Sequence, residues 1–153
     1  MREALETADW VLWIDADALF QVPDVRLEDF WDGDSPFVWF KDTFNGLNLG
    51  TFFARRCREA DKFLDRWYRM SEDPVWRHHK WWENGAAIEL ERRGELPGLV
   101  LPHRLANSYP HLPHEWQPGD FIIHCAGLLS ETRLTLLEDF AVRADLAFDG
   151  MQG

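Results

Sequence analysis

The sequence is poor in basic residues, and it has no long hydrophobic run. Its 153 residues hold 16 Lys and Arg against 27 Asp and Glu, which gives a net charge of −11. Nucleic acids and anionic membranes are bound by basic surfaces, so this imbalance argues against both as partners. No segment approaches the ~18 consecutive apolar residues of a membrane span, and residues 1–6 lack the apolar core of a secretory signal.

Cysteine is equally scarce, because it occurs only at Cys57 and Cys125. Two cysteines allow one disulfide at most, and they do not form the framework that stabilises small secreted domains. Disulfides are rare in reducing compartments. We therefore expect a reduced protein in the cytoplasm, and the sequence leaves open whether these two residues pair.

No repeat, low-complexity tract or flexible linker divides the chain, so we expect one domain over residues 1–153. Short apolar runs rich in β-forming residues alternate with segments of helical periodicity, which is typical of an α/β fold. The architecture predicted is a mixed sheet flanked by helices. The predicted strands are 10–14, 35–40, 49–54, 99–101 and 121–124, and the predicted helices are 26–31, 55–70, 80–93 and a last one beginning at Ser130.

Nine tryptophans make the chain unusually rich in large aromatic side chains. By their spacing, Trp10, Trp13 and Trp67 lie on apolar faces and are expected in the core. Trp82 and Trp116 lie outside such patterns and are expected at the surface. An exposed indole of this kind is available to a ligand, and a sugar ring is one candidate.

Acidic residues concentrate at the start of the chain, where residues 1–50 hold 11 acidic and 3 basic side chains. Two of them, Asp15 and Asp17, directly follow the predicted strand 10–14. Ligands of open α/β sheets bind at the carboxyl ends of strands. Two carboxylates held close together there need a compensating cation, and Mg²⁺ or Mn²⁺ accepts oxygen ligands while keeping positions free for phosphates. The alternative is a pair of solvated turn aspartates.

His124 ends the predicted strand 121–124, and small residues up to Gly127 follow it and permit the close approach of another group. It is either a hydrogen-bonded core residue or a metal ligand, and an imidazole ligand favours Mn²⁺ over Mg²⁺. Asn48 directly precedes the predicted strand 49–54, and Gly50 is the second residue of that strand. An amide beside a glycine can bind a hydroxyl-rich ligand, although the same pair also forms turns readily.

Glu83 and Asn84 lie near the start of the predicted helix 80–93. The carboxylate of Glu83 could contact a sugar hydroxyl or a developing positive charge. It could equally be an acid that stabilises the first turn of a helix.

Four of these segments, taken in order, resemble the nucleotide-sugar glycosyltransferases of GT-A fold. They match best the retaining galactosyl-, xylosyl- and mannosyltransferases of fungal and plant Golgi, which are glycosyltransferases of the family thirty-four type. The resemblance covers residues 9–128. The matching segments are Trp13-Ile-Asp-Ala-Asp-Ala-Leu-Phe20, Asn48-Leu-Gly-Thr-Phe-Phe-Ala-Arg-Arg56, Trp81-Trp-Glu-Asn-Gly-Ala86 and Gly119-Asp-Phe-Ile-Ile-His-Cys-Ala-Gly127.

The resemblance implies a partial GT-A fold with a metal site. Asp15 and Asp17 match an Asp-x-Asp motif that holds Mn²⁺ (or Mg²⁺) on the diphosphate of the donor, and His124 matches a further ligand. The implied reaction transfers a hexose or pentose from a nucleoside diphosphate sugar to a saccharide or another hydroxyl acceptor, with retention at the anomeric carbon. The implied catalytic pair is Glu83 and Asn84, and the implied substrate contacts are Asn48, Gly50, Trp82 and Gly127.

Three departures from the family pattern affect what we expect of this chain. Only eight residues precede Asp9, so we expect the N-terminal nucleoside-binding unit to be missing. The chain is then a gene fragment without its N-terminal half, a sequence with a mis-called start, or half of a split protein whose partner chain carries that unit. In the family, a lysine that contacts the diphosphate often follows the histidine-glycine element. Residues 128–131 stand at that place here and contain no lysine, and Arg133 is the nearest basic residue in the sequence. We also expect no membrane anchor, which the Golgi enzymes of the family have. The alternatives to an active enzyme are a non-catalytic remnant that keeps the fold and a metal-dependent phosphoesterase.

Overall fold

The computed structural model describes residues 1–22, 24–30, 33–44 and 46–149. Within them, the strands are β1 (Trp10–Ile14), β2 (Ala18–Phe20), β3 (Phe37–Asp42), β4 (Gly46–Arg55), β5 (Leu99–Leu101) and β6 (Ile122–His124). The helices are α1 (Arg2–Thr7), α2 (Arg58–Met70), α3 (Pro74–Arg77), α4 (Trp82–Arg92) and α5 (Ser130–Asp149), with short 3-10 helices at Leu27–Phe30 and His103–Leu105.

Four strands form a mixed sheet in the order β1-β4-β3-β5. β4 pairs antiparallel with both β1 and β3, whereas β3 and β5 run parallel. A separate antiparallel pair joins β2 to β6 and places Ala18 opposite His124. The predicted α/β class, with a mixed sheet flanked by helices, is confirmed.

The core lies on both faces of β3, whose residues from Phe37 to Phe40 are fully buried. Phe37 and Trp39 face one side, where they pack against α2 and α4. Val38 and Phe40 face the other side and lie in one cluster with Phe30, Phe121 and Ile122, the first residue of β6. This burial on both faces fixes the position of β4 and of the segments that follow β1 and β6, where the candidate site lies.

Pairing between β3 and β4 breaks near the middle of both strands. Trp39 pairs with Phe52 but Lys41 pairs with Leu47, so residues 48–51 of β4 face the single residue Phe40. Such an irregularity leaves backbone groups unpaired and directs side chains away from the regular pleat. The predicted strand 49–54 is therefore part of a longer strand, and Asn48 and Gly50 lie inside it rather than in a turn.

Element boundaries follow the predictions where local signals set them. β1 matches 10–14, α5 begins at Ser130, and α4 is followed by Gly94 at φ +70, a left-handed conformation that ends helices. The predicted helix 55–70 instead begins at Arg58. Arg55 is the last residue of β4, where it pairs with Trp10, so strand pairing overrides the helical pattern there.

Two further predictions were wrong for tertiary reasons. Trp13 is 45% exposed because β1 is at the edge of the sheet, and Trp116 is half-buried rather than exposed because its ring packs edge-on against Phe140. The short elements β2 and α3 were not predicted.

Both cysteines are free thiols, and burial raises the pKa of Cys125 to about 11. No helix in the described part of the chain combines the length and the apolar character of a membrane span.

Candidate active site

The segment after β1 turns sharply and brings its two aspartates towards β6. The backbone N–H of Asp15 donates to the carbonyl of Gly50 at 2.8 Å, and the N–H of Ala18 donates back to the carbonyl of Asp15 at 3.1 Å. The N–H of Cys125 then donates to the carbonyl of Asp17 at 2.9 Å. These bonds, together with the pairing of β2 with β6, hold the turn against the end of the strand that carries His124.

Asp15, Asp17 and His124 form a cluster whose potential ligand atoms all lie within 4.8 Å of one another. The His124 Nε2 atom is 3.1 Å from Asp17 Oδ1 and 3.9 Å from Asp15 Oδ2. Two neighbouring octahedral ligands, each about 2.1 Å from an ion, are about 3.0 Å apart. Both the donor set and its spacing therefore fit a divalent cation such as Mn²⁺, although the role of these residues as ligands stays a prediction.

Asp17 is also paired with cations of the protein itself. A hydrogen bond from the His124 ring holds the pKa of the Asp17 carboxyl below its usual range, and the positive charges of His124 and Arg133 add to this effect against the opposing effect of burial. Arg133 Nη1 lies 3.2 Å from Asp17 Oδ2, and its Nη2 donates to the carbonyl of Leu128 at 2.8 Å. The nearest cation noted from the sequence thus contacts the acidic cluster directly.

A chain of buried hydrogen bonds fixes the tautomer of His124. The Tyr109 hydroxyl donates to the Asp42 carboxylate at 3.1 Å, because an ionised carboxylate can only accept. Tyr109 therefore accepts from the Asn107 amide at 3.3 Å, which turns Asn107 Oδ1 towards His124 Nδ1, 2.7 Å away. The His124 Nδ1 atom must then carry a proton. A ring that donates to Asp17 from Nε2 carries a second proton, and loss of that proton leaves the Nε2 lone pair facing the two aspartates.

This supporting network was not predicted from the sequence. Asn107 and Tyr109 lie in a segment, 103–119, that reads as an irregular loop rich in Pro and His. Both are buried, and burial together with the charge of Asp42 raises the pKa of Tyr109. No local pattern marks these residues, because their role depends on contacts with β3 and β6.

Gly50 lies directly beneath the ring of His124. A Cβ atom at this position would be 2.1 Å from His124 Cε1 and 2.9 Å from Asn48 Oδ1. The Asn48 side chain accepts from the N–H of Gly50 at 2.7 Å and donates to the Tyr109 hydroxyl at 2.9 Å. Gly50 thus provides space for the histidine ring. Asn48 connects the irregular part of β4 to Tyr109 and so to the hydrogen-bond network that supports His124.

Asn84 joins the start of α4 to β4, and Glu83 precedes it on the same helix. The Asn84 Oδ1 atom accepts from the N–H of Leu49 at 2.7 Å, which satisfies a donor that β3 does not pair. The Asn84 amide N–H groups stay available as donors to a ligand, and its oxygen keeps one further lone pair. The side chain of Glu83 is exposed.

A cavity of about 830 Å³ connects these features. Its wall also contains Lys80 and His111, which were not predicted, and burial lowers the pKa of His111. Lys80 Nζ is 4.0 Å from the centre of the Trp81 ring. Gly50 lies beneath the wall rather than in it, and the structure brings the other predicted site residues together around the cavity: Asp15, Asp17, Asn48, Trp82, Glu83, Asn84, His124 and Gly127.

Comparison with known proteins identifies the family. Residues 30–134 match the sequence profile of the galactosyl transferase GMA12/MNN10 family. The chain belongs to this family. The matched segment contains His124 and the Glu83-Asn84 pair, whereas Asp15 and Asp17 precede it.

Curated relatives of this glycosyltransferase family member are similar over part of its length. A probable alpha-1,2-galactosyltransferase of Schizosaccharomyces pombe is 31% identical over 109 residues, which are 67% of this chain and 30% of that protein. Galactomannan galactosyltransferase 1 of Cyamopsis tetragonoloba is 30% identical over 49% of this chain and 19% of its own length. Probable glycosyltransferase 6 of Oryza sativa subsp. indica is 38% identical over 41% of the chain and 15% of its own. The chain thus spans less than a third of the length of each.

A solved structure shares the fold. The crystal structure of a glycosyltransferase involved in the glycosylation of the major capsid of PBCV-1 superimposes with a TM-score of 0.68. The match covers 89% of this chain and 69% of that one, at 19% sequence identity. This agreement confirms a glycosyltransferase fold for this chain.

Proposed function

We propose that this chain is the catalytic segment of a metal-dependent glycosyltransferase that moves a hexose, galactose first among the candidates, from a nucleoside diphosphate sugar to a hydroxyl acceptor. Family membership supports the reaction class, and the names of its relatives favour galactose. The observation that carries the proposal is the meeting of Asp15, Asp17 and His124 in a cavity that Glu83 also lines.

Each side of the cavity has a distinct task in this proposal. Asp15, Asp17 and His124 would hold Mn²⁺, or Mg²⁺ with less preference, and a bound cation would neutralise charge on the leaving diphosphate. Lys80 and Arg133 line the same cavity and add positive charge for an anionic donor.

The other side chains of the cavity wall would contact the substrates. Glu83 is exposed towards the cavity and would face the transferred sugar and the acceptor, with retention at the anomeric carbon as the expected outcome. Asn84 would donate to a ligand from its amide nitrogen, while its oxygen accepts from the N–H of Leu49. Contacts of Asn48, Trp82 and Gly127 with substrate stay predictions.

The proposal is tested by calorimetric titration of the whole chain with uridine and guanosine diphosphate sugars, with and without Mn²⁺. We expect one donor class to bind at least tenfold more tightly with Mn²⁺, because the cation joins the acidic cluster to the diphosphate, and we expect EDTA to reverse the gain. Equal binding with and without Mn²⁺ would contradict metal dependence.

One rival to this proposal is a non-catalytic remnant that keeps the fold. Mn²⁺ binding with no donor binding would support the remnant or a chain that needs a partner for the nucleoside. Hydrolysis of a simple phosphate ester instead would support the phosphoesterase alternative. A cytoplasmic location also stays a prediction.

Asn107 provides a further test of the histidine ligand. In Asn107→Leu, the Nδ1 proton of His124 loses its acceptor, so we expect Mn²⁺ affinity to fall about 10- to 100-fold, as is typical when the partner of a metal-bound histidine is removed. Asn107→Asp keeps an acceptor for His124 and is the matched control, expected to bind Mn²⁺ within a few-fold of the unchanged chain. Calorimetry measures the affinity, and ¹⁵N NMR of the ring reports the tautomer. Unchanged Mn²⁺ affinity in Asn107→Leu would show that the network does not position the ligand.

A further inference from the structure

A second cavity of about 800 Å³ lies among α2, α3 and α4. Aromatic side chains form much of its wall, and polar groups with exposed side chains stand among them. Arg2 and Glu3 of α1 line part of the remaining wall. We call it the aromatic groove, and its defining residues are Trp67, Tyr68, Ser71, Trp76, Arg77 and Trp82.

The aromatic groove adjoins the candidate active site, because Trp82 and Glu83 line both cavities. Trp82 has a backbone φ of +42, a left-handed conformation that bulky residues rarely adopt. Its side chain is 69% exposed. Strained backbone of this kind clusters at ligand sites, where surrounding contacts hold it. The fold thus holds an exposed indole in a strained conformation on the boundary between the two cavities.

The floor of the groove is rigid. The Trp67 ring packs edge-on against Trp39 and against Phe52 in the core, and its Nε1–H donates to the carbonyl of Glu83 at 3.3 Å. Tyr68, one residue further along α2, is largely exposed, and Trp76 on α3 is half-buried. Preformed aromatic surfaces bind ligands at a low cost in conformational entropy.

The charges of the groove favour a neutral ligand. Groups of both signs line the groove: the guanidiniums of Arg2 and Arg77 stand among the carboxylates of Glu3 and Glu83, and Arg2 is already paired with Asp65. A neutral, hydroxyl-rich molecule suits this mixture of charges better than an anionic diphosphate, which needs an excess of positive charge. Sugar rings have apolar C–H faces that pack on aromatic rings, and their hydroxyls bind planar polar groups such as carboxylates and guanidiniums.

We propose that the aromatic groove binds a neutral oligosaccharide, with Trp82 as the wall shared with the reaction site. That this oligosaccharide is the acceptor rests on the proposed function, because one end of an oligosaccharide in the groove would reach Glu83. Saccharide binding itself requires neither metal nor nucleotide. The two proposals can therefore fail separately.

The test begins with the fluorescently labelled whole chain on a printed array of neutral manno-, gluco- and galacto-oligosaccharides, in EDTA and without nucleotide. We expect retention on a subset of these glycans. Titration of the best-retained array glycan should then show about three- to tenfold weaker binding for Tyr68→Ala and for Trp76→Ala, since each removes one stacking surface. Val75→Ala is the matched control, because Val75 is exposed on α3 beside Trp76 but does not line the groove.

Three results would overturn the inference. One is the absence of any retained glycan, and another is unchanged binding in both aromatic variants. The third is self-association of the chain in sedimentation experiments that Tyr68→Ala abolishes, since the groove would then be covered by a second copy. Loss of Mn²⁺-dependent donor binding in the same preparation would count against the proposed function alone.

Discussion

Replacing Asp17 by Asn should lower Mn²⁺ affinity by about a hundredfold or more and abolish turnover of the donor, while the chain stays folded. Asp17 Oδ1 is 3.1 Å from His124 Nε2, so this carboxylate is the acidic group closest to the histidine. Asparagine supplies one neutral oxygen where a hard divalent cation prefers an anionic one. Its amide N–H₂ would also point a donor at either His124 or Arg133, both of which are donors themselves.

Asp17→Asn should also change the pH dependence of stability in the metal-free protein. The pKa of Asp17 is lower in the folded chain than its usual value, chiefly through its hydrogen bond with His124. A lowered folded-state pKa stabilises the fold above the unfolded-state pKa of about 3.9, and this contribution is lost as pH falls through the folded-state pKa. The variant should be less stable than the unchanged chain at pH 6, and the difference should shrink below about pH 4.

Calorimetry with Mn²⁺ and urea unfolding at several pH values measure these effects. Asp61→Asn on α2 is the matched control, because it makes the same chemical change away from the cavity. Asp15→Asn should have a smaller effect on affinity, since Asp15 is 3.9 Å from the histidine and is more exposed. Mn²⁺ affinity in Asp17→Asn within threefold of the unchanged chain would remove Asp17 from the ligand set.

Gly50→Ala should eliminate Mn²⁺ binding and destabilise the fold by roughly 2–4 kcal/mol, at or above the usual cost of overpacking a core. The added Cβ would lie 2.1 Å from His124 Cε1 and 2.6 Å from its Nδ1, well inside normal carbon contact distances of about 3.5–4.0 Å. His124 cannot withdraw easily, because it is only 3% exposed and its Nδ1 binds Asn107. Either the ring or the irregular part of β4 must move.

A double variant separates the steric cause from a general loss of stability. Gly50→Ala combined with His124→Ala should be more stable than Gly50→Ala alone, since the closest clash, with the ring, is gone and only the contact with Asn48 stays, but it should not recover Mn²⁺ binding. Gly94→Ala is the control for replacing a glycine, because it has open space around it and a φ of +70. It should cost about 1 kcal/mol in backbone strain and leave Mn²⁺ affinity unchanged. Normal Mn²⁺ binding by Gly50→Ala would show that His124 is not held as the structure has it.

Much of the fold could be predicted because its signals are local. The β1 run from Trp10 to Ile14, the helix stop at Gly94 and the helix start at Ser130 each depend on a few neighbouring residues. The placement of Asp15 and Asp17 directly after β1, and of His124 at the end of β6, also follows from short segments. These segments were sufficient to indicate the family, which the match over residues 30–134 then confirmed.

What the sequence by itself determined was therefore the class of fold, the family and the residues that surround one cavity. Only the tertiary structure decided that Trp13 is exposed, since the sequence does not mark β1 as an edge strand. Only the structure placed Gly50 beneath the ring of His124 and gave that ring a proton acceptor in Asn107. These properties depend on contacts between segments distant in the chain, and hydrophobic periodicity or short motifs carry no information about such contacts.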